Sequence, residues 1–226
     1  MRKGIFLTGT GTGVGKTVVC SLLISALQQT GKAIGYFKPI QTGEEDDTKT
    51  VHQLAELDAR STVPPVYHFR KPAAPYIAAA TQHEVIDTSK IITQWDQCRN
   101  QCRDQYTEKM WVIEGAGGLL VPITRSQTVR ELILAFDLPV LLVSSTLLGT
   151  INHTLLTLES LRSVGLNILG IVLSGKKDPF LVPTLSEFTS IPVIAQIPWL
   201  ENVNPEMIQR YALEWFASNT LDRLFS

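Results

Sequence analysis

The chain has 226 residues, of which 44% are hydrophobic and 18% are charged, and its formal net charge is -1. This composition is typical of a soluble globular protein, and the near-neutral charge gives no electrostatic reason to bind nucleic acid or an anionic membrane. We therefore expect no nucleic acid partner. No stretch approaches the ~18 consecutive apolar residues of a membrane-spanning helix, so we expect no membrane. The length suits a single α/β domain over residues 1–226.

Apolar runs alternate with amphipathic runs along the whole chain. In chain order they predict a strand at 5–8, a helix at 16–29, a strand at 33–37, helices at 51–57 and 86–106, a strand at 110–113, a helix at 129–136, a strand at 140–144, a helix at 150–164, a strand at 168–173, a helix at 179–188, a strand at 193–196 and a helix at 205–218. This alternation, with strands that are apolar throughout, is typical of a mostly parallel sheet covered by helices on both faces.

The carboxyl ends of the predicted strands are where a ligand is expected, because open parallel sheets bind ligands in the crevice at those ends. The loops that could carry the chemistry therefore follow Thr8, Phe37, Ile113, Ser144, Leu173 and Gln196.

The N-terminus and the cysteines favour a cytoplasmic protein with reduced thiols. Residues 1–4 lead directly into a strand-like run and lack the apolar core of a signal peptide. Cys20, Cys98 and Cys102 make an odd number of cysteines. The last two lie one helical turn apart and could hold a metal, but no matching pair of ligands is near, so we expect ordinary thiols.

The glycine-rich run after the first strand predicts a phosphate-binding loop. Gly13, Val14 and Gly15 let the backbone turn its N–H groups towards an oxyanion. The helix that begins at Lys16 adds the positive end of its dipole. The Lys16 ammonium can reach the outer phosphates of a nucleotide, and the Thr17 hydroxyl can ligate Mg²⁺.

Two other interpretations of this run remain. The usual spacing of the motif has a glycine where this chain has Thr10, so the run could be a turn that binds nothing. A dinucleotide motif would use Gly9 and Gly11 but has Val14 in place of its third glycine. The lysine and threonine that follow favour phosphoryl groups over both alternatives.

Two further strand ends present charged side chains to the same crevice. Lys38 follows the second predicted strand, where Pro39 fixes the local backbone; a solvated surface lysine is the alternative. Glu114 ends the third predicted strand before a glycine run, and a buried carboxylate is costly unless it meets a cation such as Mg²⁺. The alternative is a carboxylate that accepts hydrogen bonds from the backbone of the glycine loop.

The acidic run at 44–47 is expected to be mostly solvated. Asp47 immediately precedes a helical stretch, so this residue is expected to turn inwards towards the metal.

Five stretches, in this order along the chain, resemble the motifs of the dethiobiotin synthetase family. They read Gly-Thr-x-Thr-x-Val-Gly-Lys-Thr at 9–17, Lys-Pro-Ile-Gln-Thr-Gly at 38–43, Glu-Gly-Ala-Gly-Gly at 114–118, Leu-Gly-x-Ile-Asn-His at 148–153 and Ile-Pro-Trp-Leu at 197–200. The early glycine of the first stretch is this family's own form of the loop. The first stretch alone is unspecific, but its combination with the next three is specific, and the match covers most of the chain.

The resemblance implies a single-domain P-loop NTPase-like fold and a cyclo-ligase of biotin biosynthesis that forms a homodimer. Its substrates would be 7,8-diaminopelargonic acid, CO₂ and ATP, with Mg²⁺ as the metal, and its products dethiobiotin, ADP and phosphate. One amine takes up CO₂ as a carbamate, and the carbamate oxygen attacks the γ-phosphate. The second amine then closes the ureido ring and releases phosphate.

The resemblance also implies roles for individual residues. Lys16 and Lys38 would flank the transferring phosphoryl group and the carbamate with positive charge, and Thr12 would donate a hydrogen bond as a third catalytic residue. The residues expected to hold Mg²⁺ are Thr17, Asp47 and Glu114. The residues expected to bind ATP are Gly13, Val14, Gly15, Lys16, Thr17, Val18, Glu114, Gly115, Ala116, Gly117, Ser174, Gly175, Pro198, Trp199 and Leu200.

The residues expected to bind the diamine substrate are Thr42, Gly149, Thr150 and Asn152. The last three open a helix whose N–H groups would bind the substrate carboxylate across the dimer interface. Asn152 could also cap that helix, and the two roles are compatible.

Two departures from the family pattern leave details open. Ser174 and Gly175 stand where family members often have Asn-Asp, so the contacts to the base and the nucleotide preference are not fixed by the resemblance. The acidic loop aligns poorly, which leaves Asp46 as an alternative to Asp47.

Two other functions compete with the cyclo-ligase. A ParA-like or amidoligase-like ATPase would act with a protein partner and would carry a water-activating aspartate after its second or third strand. Here the second strand leads into Lys-Pro-Ile-Gln-Thr-Gly, which suits a small anionic substrate. The other alternative, a nucleotide-binding module without catalysis, is disfavoured because Lys16, Thr17, Lys38 and Glu114 are all present.

Overall fold

The computed structural model describes residues 4–101 and 109–225. Its strands are β1 (Gly4–Gly9), β2 (Ile34–Phe37), β3 (Ile40–Thr42), β4 (Thr62–Val63), β5 (Tyr67–Phe69), β6 (Met110–Gly118), β7 (Val140–Ser145), β8 (Ile168–Ser174) and β9 (Val193–Ile197). Its α-helices are α1 (Lys16–Gln29), α2 (Asp47–Leu54), α3 (Pro75–Thr81), α4 (Thr88–Gln101), α5 (Val129–Phe136), α6 (Thr150–Arg162), α7 (Leu181–Phe188), α8 (Pro205–Trp215) and α9 (Ser218–Phe225).

Seven strands form one parallel sheet in the order β4-β2-β6-β1-β7-β8-β9. The central strand β1 lies between β6 and β7, and the chain continues from it to β2 on one side and later returns to β7 on the other. This is a switch point of the topology, where a crevice opens at the carboxyl ends of the strands. The predicted α/β class with a mostly parallel sheet is confirmed.

Alternating side chains of the sheet face two layers of helices. Ile5 and Leu7 pack with residues of α1, α8 and α9 in what we call the first-face core. Phe6 between them packs with α4 and α5 in the second-face core. Leu142 of β7 joins α6 and α7 on that second face. The strands are therefore buried on both sides, which is why they are apolar throughout.

Aromatic rings anchor α4 and α5 to the second face. Trp95 of α4 lies 5.6 Å from Trp111 of β6 and 5.4 Å from Phe136 of α5, measured between ring centroids. Phe136 also packs edge-on against Phe6 at 5.4 Å. These contacts join two helices and the two central strands in one cluster.

Several predicted boundaries are wrong. The helix predicted at 51–57 begins at Asp47 because Asp46 caps it, and the strand predicted at 110–113 continues to Gly118. The helix predicted at 205–218 is two helices, α8 and α9. The helix predicted at 86–106 begins at Thr88, and its predicted end lies outside the described residues. Strands β3, β4 and β5 and helix α3 have no counterpart among the predicted elements.

Within residues 4–101 and 109–225, no helix is long and apolar enough to cross a membrane.

Candidate active site

The turn between β1 and α1 has the geometry of a phosphate-binding loop. Gly13 and Gly15 have φ angles of 72° and 91°, in the left-handed region that glycine adopts without strain. A Cβ atom on Gly15 would also come within 2.6 Å of Ser174 Oγ, so two independent constraints select glycine there. Gly15 is the N-cap of α1, and the first N–H groups of this helix therefore open onto the loop.

Lys16 is buried and turns back over the loop. Its Nζ atom donates a hydrogen bond to the Gly11 carbonyl oxygen at 3.1 Å. Burial lowers the pKa of Lys16, and it outweighs the opposing effect of Glu114, so the net pKa lies below the ordinary value for lysine. An ammonium held in this way is poised to meet anionic oxygens in the loop.

Four side chains from different segments converge beside the start of α1. Thr17 Oγ1 lies 3.1 Å from Asp47 Oδ1 and 3.2 Å from Glu114 Oε1. Lys38 Nζ lies 2.9 Å from the same Glu114 oxygen and donates a second hydrogen bond to Asp47 Oδ2. The cluster therefore holds two carboxylates, one hydroxyl and one ammonium.

Charge pairing dominates the protonation of this cluster. Burial lowers the pKa of Lys38, but the Glu114 and Asp47 carboxylates outweigh it and raise the net pKa above the ordinary value. Burial raises the pKa of Asp47, but the Lys38 charge and hydrogen bonds from Lys38, Thr17 and Gln41 lower the net pKa below its ordinary value. Lys38 therefore stays protonated and Asp47 stays ionised around neutral pH.

The capping of α2 explains why Asp47, and not Asp46, reaches this cluster. Asp46 is the N-cap residue, and its side chain accepts a hydrogen bond from Lys49 N at 3.0 Å. Its other carboxylate oxygen lies 3.3 Å from Lys49 Nζ. Asp47 is the first residue of the helix, and its side chain points towards Thr17 and Lys38.

Two alternatives and one strand boundary predicted from the sequence are wrong. Lys38 is not a solvated surface lysine, because only 4% of it is exposed. Glu114 does not end its strand, since β6 continues and pairs Gly118 with Gly9. The described hydrogen-bond partners of Glu114 are the side chains of Thr17, Lys38 and Tyr36 and not the backbone of the glycine run.

The donor set of the cluster fits Mg²⁺. Thr17, Asp47 and Glu114 offer oxygen atoms only, and hard oxygen ligands suit this ion. Among the described residues no group of three or more His, Cys, Asp or Glu side chains could hold a metal. A magnesium ion at this cluster would therefore depend on phosphate oxygens to complete its coordination, as is usual for Mg²⁺ in nucleotide sites.

Cys102, half of the cysteine pair considered above, lies outside the described residues.

Comparison with known proteins gives the family. Residues 3–207 match the family model described as an AAA domain. The chain is 32% identical over 221 residues to the ATP-dependent dethiobiotin synthetase of Bacillus velezensis, covering 92% of this chain and 91% of the relative. It is 38% identical over 202 residues to the same enzyme of Endomicrobium trichonymphae, covering 89% and 92%. The chain belongs to the AAA domain family and to the dethiobiotin synthetases.

A longer relative contains the same region. The biotin biosynthesis bifunctional protein of Bordetella avium is 39% identical over 227 residues, which cover 99% of this chain but only 45% of the relative. The chain thus spans about half the length of this bifunctional protein.

Solved structures support the fold alone. The cell division protein MinD of Aquifex aeolicus aligns with a TM-score of 0.58 at 14% identity, over 98% of this chain and 94% of MinD. A ParA family ATPase of Chlorobium tepidum aligns with a TM-score of 0.55 at 11% identity, over 94% and 98% of the two chains. At such identities the likeness to these P-loop proteins does not extend to function.

In this dethiobiotin synthetase family member, the ends of β8 and β9 flank the phosphate loop. Ser174 lies against Gly15, and Gly175 N donates to the Ile197 carbonyl oxygen at 2.9 Å. This bond brings the segment with Pro198, Trp199 and Leu200 next to Ser174 and Gly175. Trp199 is 72% exposed, so its ring is available to a ligand at this edge.

Three residues expected to bind ATP have their side chains in the apolar core. Val14 and Val18 pack in the first-face core, and Ala116 packs against the second-face core. Any contact from them to a nucleotide would come from their backbone groups. Gly117 lies close to Thr12, because a Cβ atom on Gly117 would be 3.4 Å from Thr12 Oγ1.

The residues expected to bind the dethiobiotin synthetase substrate fall at two places. Thr42 ends β3, four residues after Lys38, and is half-buried. Gly149 is the N-cap of α6 with a φ angle of 94°, and Asn152 lies exposed in the first turn. The prediction that Asn152 could cap this helix is wrong, because Gly149 occupies the N-cap position. The left-handed backbone there is one that glycine adopts without strain.

Buried hydroxyls connect the start of α6 to the phosphate loop. Ser144 Oγ lies 3.2 Å from Thr10 Oγ1 and 2.8 Å from both Thr150 Oγ1 and Thr154 Oγ1. Thr150 Oγ1 also donates to the Ser145 carbonyl oxygen. We refer to these four hydroxyls as the hydroxyl cluster.

The hydroxyl cluster and Tyr36, which hydrogen-bonds Glu114, were not predicted from the sequence. Tyr36 lies two residues before Lys38, so both side chains point to the same face of the extended chain, and this spacing could have indicated Tyr36. For the hydroxyl cluster the sequence offers a weaker indication, a serine at the end of an apolar strand.

Proposed function

We propose that this chain is an ATP- and Mg²⁺-dependent cyclo-ligase that converts 7,8-diaminopelargonic acid and CO₂ to dethiobiotin, ADP and phosphate. The observation that carries the proposal is the convergence of Lys38, Asp47, Glu114 and Thr17 beside the phosphate loop, in a chain whose relatives are named ATP-dependent dethiobiotin synthetases. The chain would work as one domain over residues 1–226 in the cytoplasm.

Charge placement is the main contribution of the residues. The carbamate and the triphosphate are both anionic, so their approach is opposed unless fixed cations separate their charges. Lys16 lies over the phosphate loop and Lys38 at the neighbouring cluster. The two ammonium groups would thus face the phosphoryl group and the carbamate from two sides. Thr12, beside Gly117, would donate a hydrogen bond to the same oxygens.

Thr17, Asp47 and Glu114 would hold Mg²⁺, which when bound neutralises phosphate charge. The loop glycines and the start of α1 would bind the phosphates through N–H groups. Ser174, Gly175 and the segment from Pro198 to Leu200 would surround the base. Thr42 would bind the diamine near its reacting end.

A product assay tests the proposal. Purified protein is incubated with the diamine, ¹³C-bicarbonate and Mg-ATP, and the expected product is a ring-closed compound that carries the label in its ureido carbon, detected by mass spectrometry. Omission of the diamine is the control. ATP hydrolysis without labelled product would instead favour an ATPase that acts with a protein partner, and the cyclo-ligase proposal would be abandoned.

The homodimer is supported by an apolar patch at the start of α6. Leu147, Leu148 and Ile151 are all exposed, and contiguous exposed apolar side chains mark interaction surfaces. The patch adjoins Gly149 and Asn152 at the start of α6. In the dimer, this helix start would bind the carboxylate of a diamine whose other contacts come mainly from the partner subunit.

Leu148→Glu is expected to separate the dimer, because it places a charge in the apolar patch. Sedimentation velocity should then show a monomer, and the KM for the diamine should rise while ATP affinity, measured by calorimetry, stays unchanged. Phe188→Glu is the matched control, since Phe188 is 64% exposed at the end of α7. A fully active monomer would contradict the shared substrate site.

A further inference from the structure

Tyr36 makes a buried hydrogen bond to the carboxylate at the centre of the site. Its hydroxyl donates to Glu114 Oε2 at 2.7 Å, and the residue has no exposed surface. The ring itself packs in the first-face core. Since water cannot replace the phenol here, Oε2 depends on it for its hydrogen bond.

The two oxygens of Glu114 have different surroundings. Oε1 faces the site and is shared by Thr17 at 3.2 Å and Lys38 at 2.9 Å. Oε2 accepts the hydrogen bond from Tyr36. A carboxylate can rotate about its terminal bond, so a fixed donor on one oxygen holds the plane of the carboxylate and sets the direction in which the other oxygen is presented to the site.

The pairing of β2 with β6 fixes the position of Tyr36 relative to Glu114. Strand β2 pairs with β6 so that Tyr36 lies opposite Val112 and Phe37 opposite Ile113. Tyr36 and Lys38 are two residues apart, and they hold opposite oxygens of the same carboxylate. Burial and the nearby Glu114 carboxylate raise the pKa of the Cys20 thiol, which lies one turn after Thr17 in α1.

Tyrosine hydroxyls are neutral hydrogen-bond donors at neutral pH. The phenol of Tyr36 can therefore keep donating to Glu114 Oε2.

We propose that Tyr36 is a positioning residue that orients the Glu114 carboxylate so that Oε1 is presented to the magnesium ion of the ATP complex. The inference deepens the proposed function and rests on its assignment of Glu114 to the metal. Residues that orient a metal ligand in this way typically contribute about 10- to 100-fold to metal affinity or activity.

Tyr36→Phe removes the hydroxyl and keeps the ring that packs in the core, so the fold is expected to persist. The probe is Mn²⁺, added to protein that carries one equivalent of a non-hydrolysable ATP analogue, and its binding is read from the electron paramagnetic resonance signal. We expect the apparent Kd for Mn²⁺ to rise about 10-fold. The Mg²⁺ concentration for half-maximal product formation should rise in parallel, and the rate at saturating Mg²⁺ should be largely restored.

Two comparison variants separate the possible outcomes. Tyr211→Phe removes a phenol whose ring stacks on Trp215 of α8 at 5.1 Å, and it should leave Mn²⁺ binding unchanged. Glu114→Gln should weaken Mn²⁺ binding at least as much as Tyr36→Phe does. If Glu114→Gln weakens it and Tyr36→Phe does not, the positioning role is wrong and the proposed metal site stands. If Glu114→Gln has no effect either, the metal assignment in the proposed function is itself wrong.

Discussion

Lys38→Met is expected to slow dethiobiotin formation by on the order of 10²- to 10³-fold, because it removes a fixed charge that would stabilise the transferring phosphoryl group and the carbamate. ATP binding should persist, since the phosphate loop and Lys16 are untouched. Single-turnover measurements with Mg-ATP and the diamine would give the rate, and calorimetry the ATP affinity.

The same substitution is also expected to destabilise the fold. Lys38 forms ion pairs with both Asp47 and Glu114, and Glu114 is only 1% exposed. Loss of one partner of a buried ion pair costs about 3–5 kcal/mol, because the remaining charge is left buried. Urea unfolding should show this loss, and Mg²⁺ should stabilise the variant more than the wild type, since the ion binds the same carboxylates without competing with an ammonium.

The control for Lys38→Met is Lys49→Met. The Lys49 side chain is 79% exposed and pairs with Asp46 at 3.3 Å, and an exposed pair of this kind contributes little to stability. Both the rate and the free energy of unfolding should stay near the wild-type values. A Lys38→Met enzyme that forms product at the wild-type rate would show that the charge at this position is not used.

Lys16→Met is expected to weaken ATP binding by about 10- to 100-fold, the equivalent of the ~1.5–3 kcal/mol of a hydrogen bond between charged groups. Its effect on stability should have the opposite sign to that of Lys38→Met. The pKa of Lys16 is lowered because burial outweighs its charge partners, so the charged side chain is less stable in the folded protein than in the unfolded chain. An apolar side chain removes this penalty, and the free energy of unfolding should be unchanged or higher.

Calorimetry with ATP and urea unfolding check both halves of this expectation. Lys32→Met is the matched control, because Lys32 lies just before β2, at the amino-terminal edge of the sheet, 3.9 Å from Asp222. ATP affinity should not change in this variant. A Lys16→Met protein that binds ATP as tightly as the wild type would exclude Lys16 from the phosphate site.

The sequence predicted the main sheet and its helices because each long element carries its own pattern. The apolar run of β7 and the glycine loop before α1 can be recognised from local residues alone. Strand β4 has two residues and β3 has three, so neither is long enough to show a period. The continuation of β6 to Gly118 was missed because glycines usually end a strand, whereas here they let it pass close beneath the phosphate loop.

The candidate site was predictable to a similar degree. Lys16, Lys38 and Glu114 were each marked by their position at a strand end or in a motif. The sequence leaves Asp46 as an alternative to Asp47, and the hydrogen bond that Lys49 N donates to Asp46 Oδ1 gives the geometric reason for Asp47. The partners of Glu114 in β2 and α1 come from segments distant in sequence, and only their packing brings Tyr36 and Cys20 to it.

The hydroxyl cluster has a fixed direction of proton donation. A hydroxyl carries one hydrogen, and that of Thr150 is used on the Ser145 carbonyl oxygen. Ser144 must then donate to Thr150, and it can only accept from Thr10 and Thr154. The proton of Thr10 consequently points into the protein and away from any bound anion. Of the two threonines that precede Gly13 in the loop, Thr12 alone keeps a hydrogen to offer a phosphate or a carbamate.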